Sequence, residues 1–218
     1  MKLVSVNCGL PREVMWHGSP ATTSIYKEAV RGRIALRTFN LDGDRQSDLT
    51  VHGGRNKAVY CYSIAHYDYW KSELLGRSWP MGTFGENFTI EGGAEDAVHI
   101  GDRFSVGSAE IVVTQPRRPC YKLAIRFEAD DMVQRFLESR RTGFYVAVTR
   151  EGEVGAGDHI TMLSREPDSV SVAEIVRLYV AKQFSDEDVP QVQRALAAGA
   201  LPDGWKRDFQ EKWDRLYA

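Results

Sequence analysis

Cysteine is scarce in this chain, with Cys8, Cys61 and Cys120 the only three in 218 residues. An odd and widely spaced set makes a poor disulfide framework. No C-x-x-C and no H-E-x-x-H occurs, so the usual zinc signatures are missing. No stretch approaches the ~20 apolar residues of a membrane span. The opening, MKLVSVNCGLPREV, lacks the apolar core of a signal peptide and is broken by Asn7, Gly9 and Pro11. The expectation is a cytoplasmic protein without a membrane partner. Excess charge of either sign is also lacking: the formal net charge is −2 and the sequence pI about 6.2. No global basic field therefore points to nucleic acid. There is no G-x-x-x-x-G-K-[ST] loop, no G-x-G-x-x-G between a strand and a helix, and no G-x-S-x-G elbow. These absences argue against a P-loop nucleotidase, a dinucleotide fold and an α/β-hydrolase.

What is present reads first as strands. LVSVNC alternates, RGRIALRTFNLDGD begins as a strand and ends in a D-G turn, and KAVYCYS and NFTI are rich in β-formers. VHIGDRFSVGSAEIVVTQ and GFYVAVTREGEVGAGDHITML repeat one grammar of strand, glycine turn and strand. Short strands joined by tight turns predict a largely antiparallel barrel or sandwich. Two helices are expected to interrupt it, SIAHYDYWKSELLG and EADDMVQRFLESRRTG, each with apolar residues at helical spacing and a glycine at its end. The aromatics of YDYW fall at helix spacing, as core residues do, rather than as a base-stacking platform.

The pattern changes at SREPDS, residues 164–169, which reads as a linker. Beyond it three helices are expected. The first has Ser171 and Glu174 spaced as a capping box. The second has Pro190 in its first turn, and the third places Trp205, Phe209 and Trp213 on one face. The predicted division is a β domain over residues 1–165 and a small all-α three-helix domain over 166–218, the latter near the lower size limit for independent stability.

Chemistry concentrates in a few segments. In TQPRRPCYKL, Cys120 stands behind a proline and among Arg117, Arg118 and Lys122. Positive neighbours favour the thiolate, which is both the nucleophilic and the metal-binding form. A reactive or ligating role is expected here, whereas Cys8 and Cys61 sit in apolar runs that predict burial. TVHGGRNKAV places His52 before two glycines, then Arg55 and Lys57. Such a loop can offer backbone donors and cations to an anion, although it also fits an ordinary polar turn. GTFGENFTI offers Glu86 and Asn87, and SIYKEAV offers Lys27.

Taken in order, TSIYKEAVRGRIALRTFNLDGDRQSDLTVHGGRNKAVYCYS, FGENFTI, QPRRPCYKL and GFYVAVTREGEVGAGDHI resemble the MOSC domain, named for the C-terminal domain of molybdenum cofactor sulfurase. The arrangement is most similar to the YiiM-like branch, whose 3-alpha domain the tail resembles. The resemblance implies a MOSC-type β-barrel with peripheral helices, followed by a small three-helix domain. It also implies a molybdopterin-type molybdenum cofactor with Cys120 as the molybdenum ligand. The implied activity is reduction of N-hydroxylated compounds such as 6-hydroxylaminopurine or amidoximes, with electrons from a separate reductase, a flavoprotein. Carried over motif by motif, Lys27 is expected near the pterin or its phosphate. His52, Arg55 and Lys57 of HGG-x-x-KAV, Asn87 of FGEN, and Gln115, Arg117 and Lys122 around the cysteine would line the cofactor. His52 is a candidate proton donor, with a positional role as the competing reading. Phe88 departs from the leucine that often follows FGEN, and Arg55-Asn56 fill a variable position. The alternative is a non-catalytic sulfur carrier or cofactor-delivery module using a persulfide on Cys120.

Overall fold

The computed structural model describes residues 1–48 and 53–217, with side chains through Arg215. His52 lies outside the described residues. The main sheet has eight strands, in the order β12 (Ile160–Ser164), β8 (Arg103–Val106), β9 (Ala109–Pro116), β10 (Phe144–Arg150), β6 (Val59–Ser63), β7 (Phe88–Glu91), β1 (Lys2–Cys8) and β4 (Glu28–Ala29). All neighbours are antiparallel except β6 and β7, which run parallel. Two further pairs stand apart: β5 (Arg33–Leu36) with β11 (Gly152–Gly155), and the hairpin of β2 (Arg12–Trp16) and β3 (Ser19–Thr23).

The sheet rolls until distant parts meet. Leu3 N donates to Asp158 O at 2.9 Å, Gly157 N to Leu3 O at 2.7 Å, and Ile160 N to Met1 O at 2.9 Å. The start of β1 is thereby tied to the approach to β12. No continuous ladder closes the sheet among the described residues, and the pairing defines a mainly β architecture with helices.

One local expectation fails for an identifiable reason. VHI does not join the following strand. Ile100 N donates to Val170 O and Val172 N to Val98 O, so this segment pairs with the linker toward the tail. Asp102 fixes that bend by accepting from His99 N and from Arg165 Nε, the latter at 2.7 Å. TQPRRPCYKL leaves the end of β9 as a short loop and then enters a helix. Cys120 takes an extended conformation and becomes the N-cap of a short helix, α2 (Tyr121–Phe127), which buries Leu123, Ala124 and Phe127 and ends at Glu128 in the left-handed region. The β2–β3 hairpin was not expected. It turns on His17-Gly18, both at positive φ as a two-residue hairpin turn requires.

The other helices fall where the spacing predicts. α1 (Ala65–Glu73) and α3 (Met132–Ser139) pack Tyr67, Trp70, Met132 and Phe136 into an aromatic cluster with Tyr60, Tyr62 and Phe84. In the tail, α4 (Val172–Val180) carries the predicted capping box: Glu174 N donates to Ser171 Oγ, and Ser171 N donates to the Glu174 carboxylate. α5 (Val189–Ala197) and α6 (Asp203–Tyr217) follow. Lys212 Nζ of α6 donates to the carbonyls of Leu178, Tyr179 and Ala181, which satisfies the otherwise open C-terminus of α4. Val172, Ile175, Leu178, Val192, Trp205 and Phe209 belong to the same apolar core as Ile111, Val113 and Val146 of the sheet.

That shared core has a measurable consequence. Replacing the fully buried Phe209 by alanine should cost roughly 3–5 kcal/mol. Sheet and tail should then melt in one transition, with far-UV dichroism and tryptophan fluorescence coinciding in a denaturant titration. Two resolved transitions would contradict a common core.

Candidate functional site

One buried carboxylate organises the region around Lys27. Asp44 follows the D-G turn after β5, and its side chain is 1% exposed. It forms an ion pair with Lys27 Nζ and accepts from Gly9 N and Asn87 Nδ2, both at 2.8 Å. Asn87 Oδ1 in turn accepts from Tyr60 N at 3.2 Å. Glycines make room for this junction. A Cβ on Gly82, whose φ is +87°, would lie 2.7 Å from Lys27 O, and one on Gly9 would lie 2.5 Å from Tyr26 O. Neighbouring Glu86 is fully buried and accepts from Tyr67 Oη, Gly82 N, Phe84 N and Thr89 Oγ1. Burial pushes its pKa up, although every one of these donors favours the anion. Glu86 thus folds the FGEN loop and sets Asn87 beside Asp44.

Cys120 lies where β9 gives way to α2, half-buried and with its backbone at the helix N-cap. Arg117 points inward. Its guanidinium donates to Phe84 O and stands 4.7 Å from the Tyr60 ring centre. Arg118 points toward the tail, ion-paired to Asp208 Oδ2 at 2.6 Å and 3.8 Å from the centre of the Trp205 ring. Lys122, on the first turn of α2, donates to Ser47 Oγ at 2.7 Å. Lys57 closes a one-turn 3-10 helix (Arg55–Lys57) that follows Gly53 and Gly54, both at positive φ. Burial, and next the charge of Arg118, hold the Lys57 pKa below the usual lysine value, while Cys120 acts in the opposite sense.

Gln115 is engaged by the protein itself. Its Nε2 donates to Asn56 O at 3.1 Å, and its Oε1 accepts from Trp205 Nε1 at 2.7 Å. It positions the Arg55–Lys57 turn against the tail.

Two clefts meet at the cysteine. The first, about 650 Å³ and open to solvent, is lined by Lys27, Asp44, Ser47, Lys57, Asn87, Arg117, Arg118, Cys120 and Lys122, among others. The second, about 1130 Å³ and also open, is lined by Gly53, Gly54, Arg55, Gln115, Pro116, Pro119, Pro202, Gly204 and Trp205. Gly53, Lys57, Arg118, Cys120 and Tyr145 border both. Of the residues named from sequence, the first cleft gathers Lys27, Lys57, Asn87, Arg117, Cys120 and Lys122, while Arg55 and Gln115 lie on the second. Sequence reasoning missed Asp44, Tyr145, Arg118 as a wall of both clefts, and Trp205 as a wall of the second. The D-G-D of LDGD was the available signal for Asp44. Nothing local to GFYVAV marks Tyr145.

Comparison with known proteins places the chain. The family model of the MOSC domain matches residues 48–161, and the chain belongs to the MOSC domain family. Within that family it is YiiM-like. It is 37% identical to the protein YflK of Bacillus subtilis (strain 168) over 98% of this chain and 95% of that one. Its structure is similar to crystalline YiiM from Geobacillus stearothermophilus, with a TM-score of 0.79 and 29% identity over 97% of this chain and 98% of that one. A protein of Gibberella moniliformis (strain M3125 / FGSC 7600) named "Reductase" is 30% identical over 77% of this chain, which matches 30% of that protein's length.

Two outcomes follow. Asp44→Ala strands the buried Lys27 ammonium, and should lower stability by about 3–5 kcal/mol in urea unfolding. A loss within experimental error of zero would remove Asp44 as organiser. Alkylation should separate the three thiols. Burial pushes the Cys8 pKa up to about 11, with Asp44 adding to the shift, and burial raises that of Cys61 as well. Iodoacetamide at pH 8 should therefore modify Cys120 of the unliganded protein first, as read by peptide mapping. Equal labelling of Cys8 would contradict this environment.

Proposed function

We propose that this protein holds a molybdenum cofactor in the first cleft and reduces N-hydroxylated compounds, with electrons delivered by a separate flavoprotein reductase. The observation that carries the reading is the convergence of cations from separate segments on one thiol. Lys27, Lys57, Arg118 and Lys122 line the cleft that contains Cys120. The donor set fits such a group. Among the described residues no cluster of three His, Cys, Asp or Glu could hold a metal ion. A metal beside Cys120 would therefore bring other ligands with it, as a pterin dithiolene does, and one soft thiolate completes the set. Family membership and a relative named a reductase support oxidoreductase chemistry.

When bound, the cofactor supplies the two-electron centre that reduction of an N–O bond needs. The chain's residues divide the remaining work. Lys27, oriented by Asp44, and Lys122, oriented by Ser47, would hold the anionic groups of the pterin, with Asn87, which also bonds Asp44, on the same cleft. The positive-φ pair Gly53-Gly54 lets backbone approach closely and leads into Lys57 and Arg55. Cys120 offers sulfur, and Arg117 fixes the strand end behind it through Phe84 O and Tyr60. His52, which precedes the glycine pair, supplies a proton. In the same reading the rolled sheet over residues 1–165 is the family's barrel, residues 166–218 are its three-helix domain, and the protein works in the cytoplasm.

The test is metal and pterin analysis of protein purified anaerobically. Molybdenum near one per chain is expected, together with reduction of a hydroxylamino-purine by reduced viologen. Cys120→Ser should cut that activity by at least about 100-fold, the upper range for disturbing a metal's surroundings. Full activity in Cys120→Ser would defeat the mechanism. A persulfide on Cys120 without metal would favour a sulfur carrier instead.

A further inference from the structure

The two clefts that share Cys120 draw on different parts of the chain. The first is lined by Lys27, Asp44 and Lys122. The second reaches the tail, with Pro202, Gly204 and Trp205 joining Pro116, and Arg118 borders both. We propose that the second cleft is where substrate approaches Cys120, and that α6 sets what fits there by fixing one wall and the Arg118 guanidinium. This rests on the first cleft being the cofactor's.

Several contacts hold the tail side of this cleft in place. Trp205 forms the wall on the tail side, and its Nε1 donates to Gln115 Oε1 at 2.7 Å. The other end of that amide holds Asn56 O at 3.1 Å, in the Arg55–Lys57 turn that also lines this cleft. One glutamine therefore ties α6 to that turn. Arg118 is restrained from the same helix, by Asp208 at 2.6 Å and by the Trp205 ring at 3.8 Å, with Tyr179 of α4 at 4.8 Å. Asp208 and Trp205 act through Arg118 and are positioning residues. A cleft whose lining combines Pro116, Pro202 and Trp205 with the Arg118 cation favours molecules that pair an apolar body with an acceptor or anionic edge. It rejects molecules that carry positive charge at that edge.

Gly204 provides the test. It lies in the first turn of α6 and lines this cleft, and a Cβ placed on it would meet no heavy atom within 4 Å. Gly204→Trp should obstruct the cleft without disturbing the fold, and Gly204→Leu is measured beside it as a smaller intrusion. Full-length protein from cells grown without molybdate is labelled at Cys120 with flat, neutral monobromobimane and with small iodoacetamide. Bimane labelling should fall at least about tenfold, which is a barrier change near 1.4 kcal/mol, while iodoacetamide labelling stays within about twofold. Molybdenum content of protein from molybdate-grown cells should match wild type. Unchanged bimane labelling, or loss of molybdenum in the variant, would overturn the assignment. A charge comparison decides the matter separately, and does so even if the Gly204 variants fail to fold. Wild-type Cys120 should react faster with a sulfonate-bearing methanethiosulfonate than with its trimethylammonium counterpart, and Arg55→Gln, on the second cleft and not the first, should narrow that gap. Narrowing by Lys122→Gln, with none from Arg55→Gln, would place the approach in the first cleft. If wild-type protein contains no molybdenum, the cofactor reading fails while the labelling results still judge the second cleft.

Discussion

A single buried carboxylate does most to hold this site together. Asp44 binds Lys27, Asn87 and the backbone of Gly9, residues that belong to three separate stretches of chain. A carboxylate this deep is tolerable only because each donor compensates for lost water. The ion pair adds little to net stability compared with an apolar substitute of the same shape, but breaking it leaves a charge stranded. What it secures is geometry. With Asp44 in place, the early lysine and the FGEN asparagine face the same cleft, and β1, β4 and β7 meet in the register that this requires.

Much of this was legible in the sequence. Strand–turn–strand grammar located β8, β9, β10 and β12, and the Ser171-x-x-Glu174 spacing located the start of α4. Those features are local, and local chemistry specifies them. The helix after Cys120 escaped notice because two prolines and two arginines precede it. Its formation depends on Leu123 and Phe127 finding the aromatic cluster under α1 and α3. The role of Gln115 was not legible for a similar reason. Its partners lie 59 and 90 residues away in the chain. Lys27, Lys57 and Lys122 could be named from motifs, but only the fold shows that Asp44 and Ser47 orient the first and last of them.

Arg117 and Arg118 are adjacent in sequence and divide their work. Arg117 turns into the aromatic cluster, where the Tyr60 and Phe136 rings stand 4.7 and 5.5 Å from its guanidinium carbon. Aromatic faces and a carbonyl stand in for water around a buried cation. Arg118 turns the other way, to Trp205 and Asp208. One dipeptide thus anchors the cysteine to both halves of the molecule, and Pro119 stiffens the link to Cys120.

The bond between Gln115 and Trp205 also bears on the order in which the molecule is made. During synthesis the sheet, the HGG turn and Cys120 all leave the ribosome well before residues 202–209. Chains generally begin to fold from the N-terminal end as they emerge. Until α6 arrives, Gln115 has one partner instead of two, Arg118 lacks its carboxylate, and the second cleft has a single wall. The surroundings of the cysteine are therefore completed by a segment made some eighty residues after it.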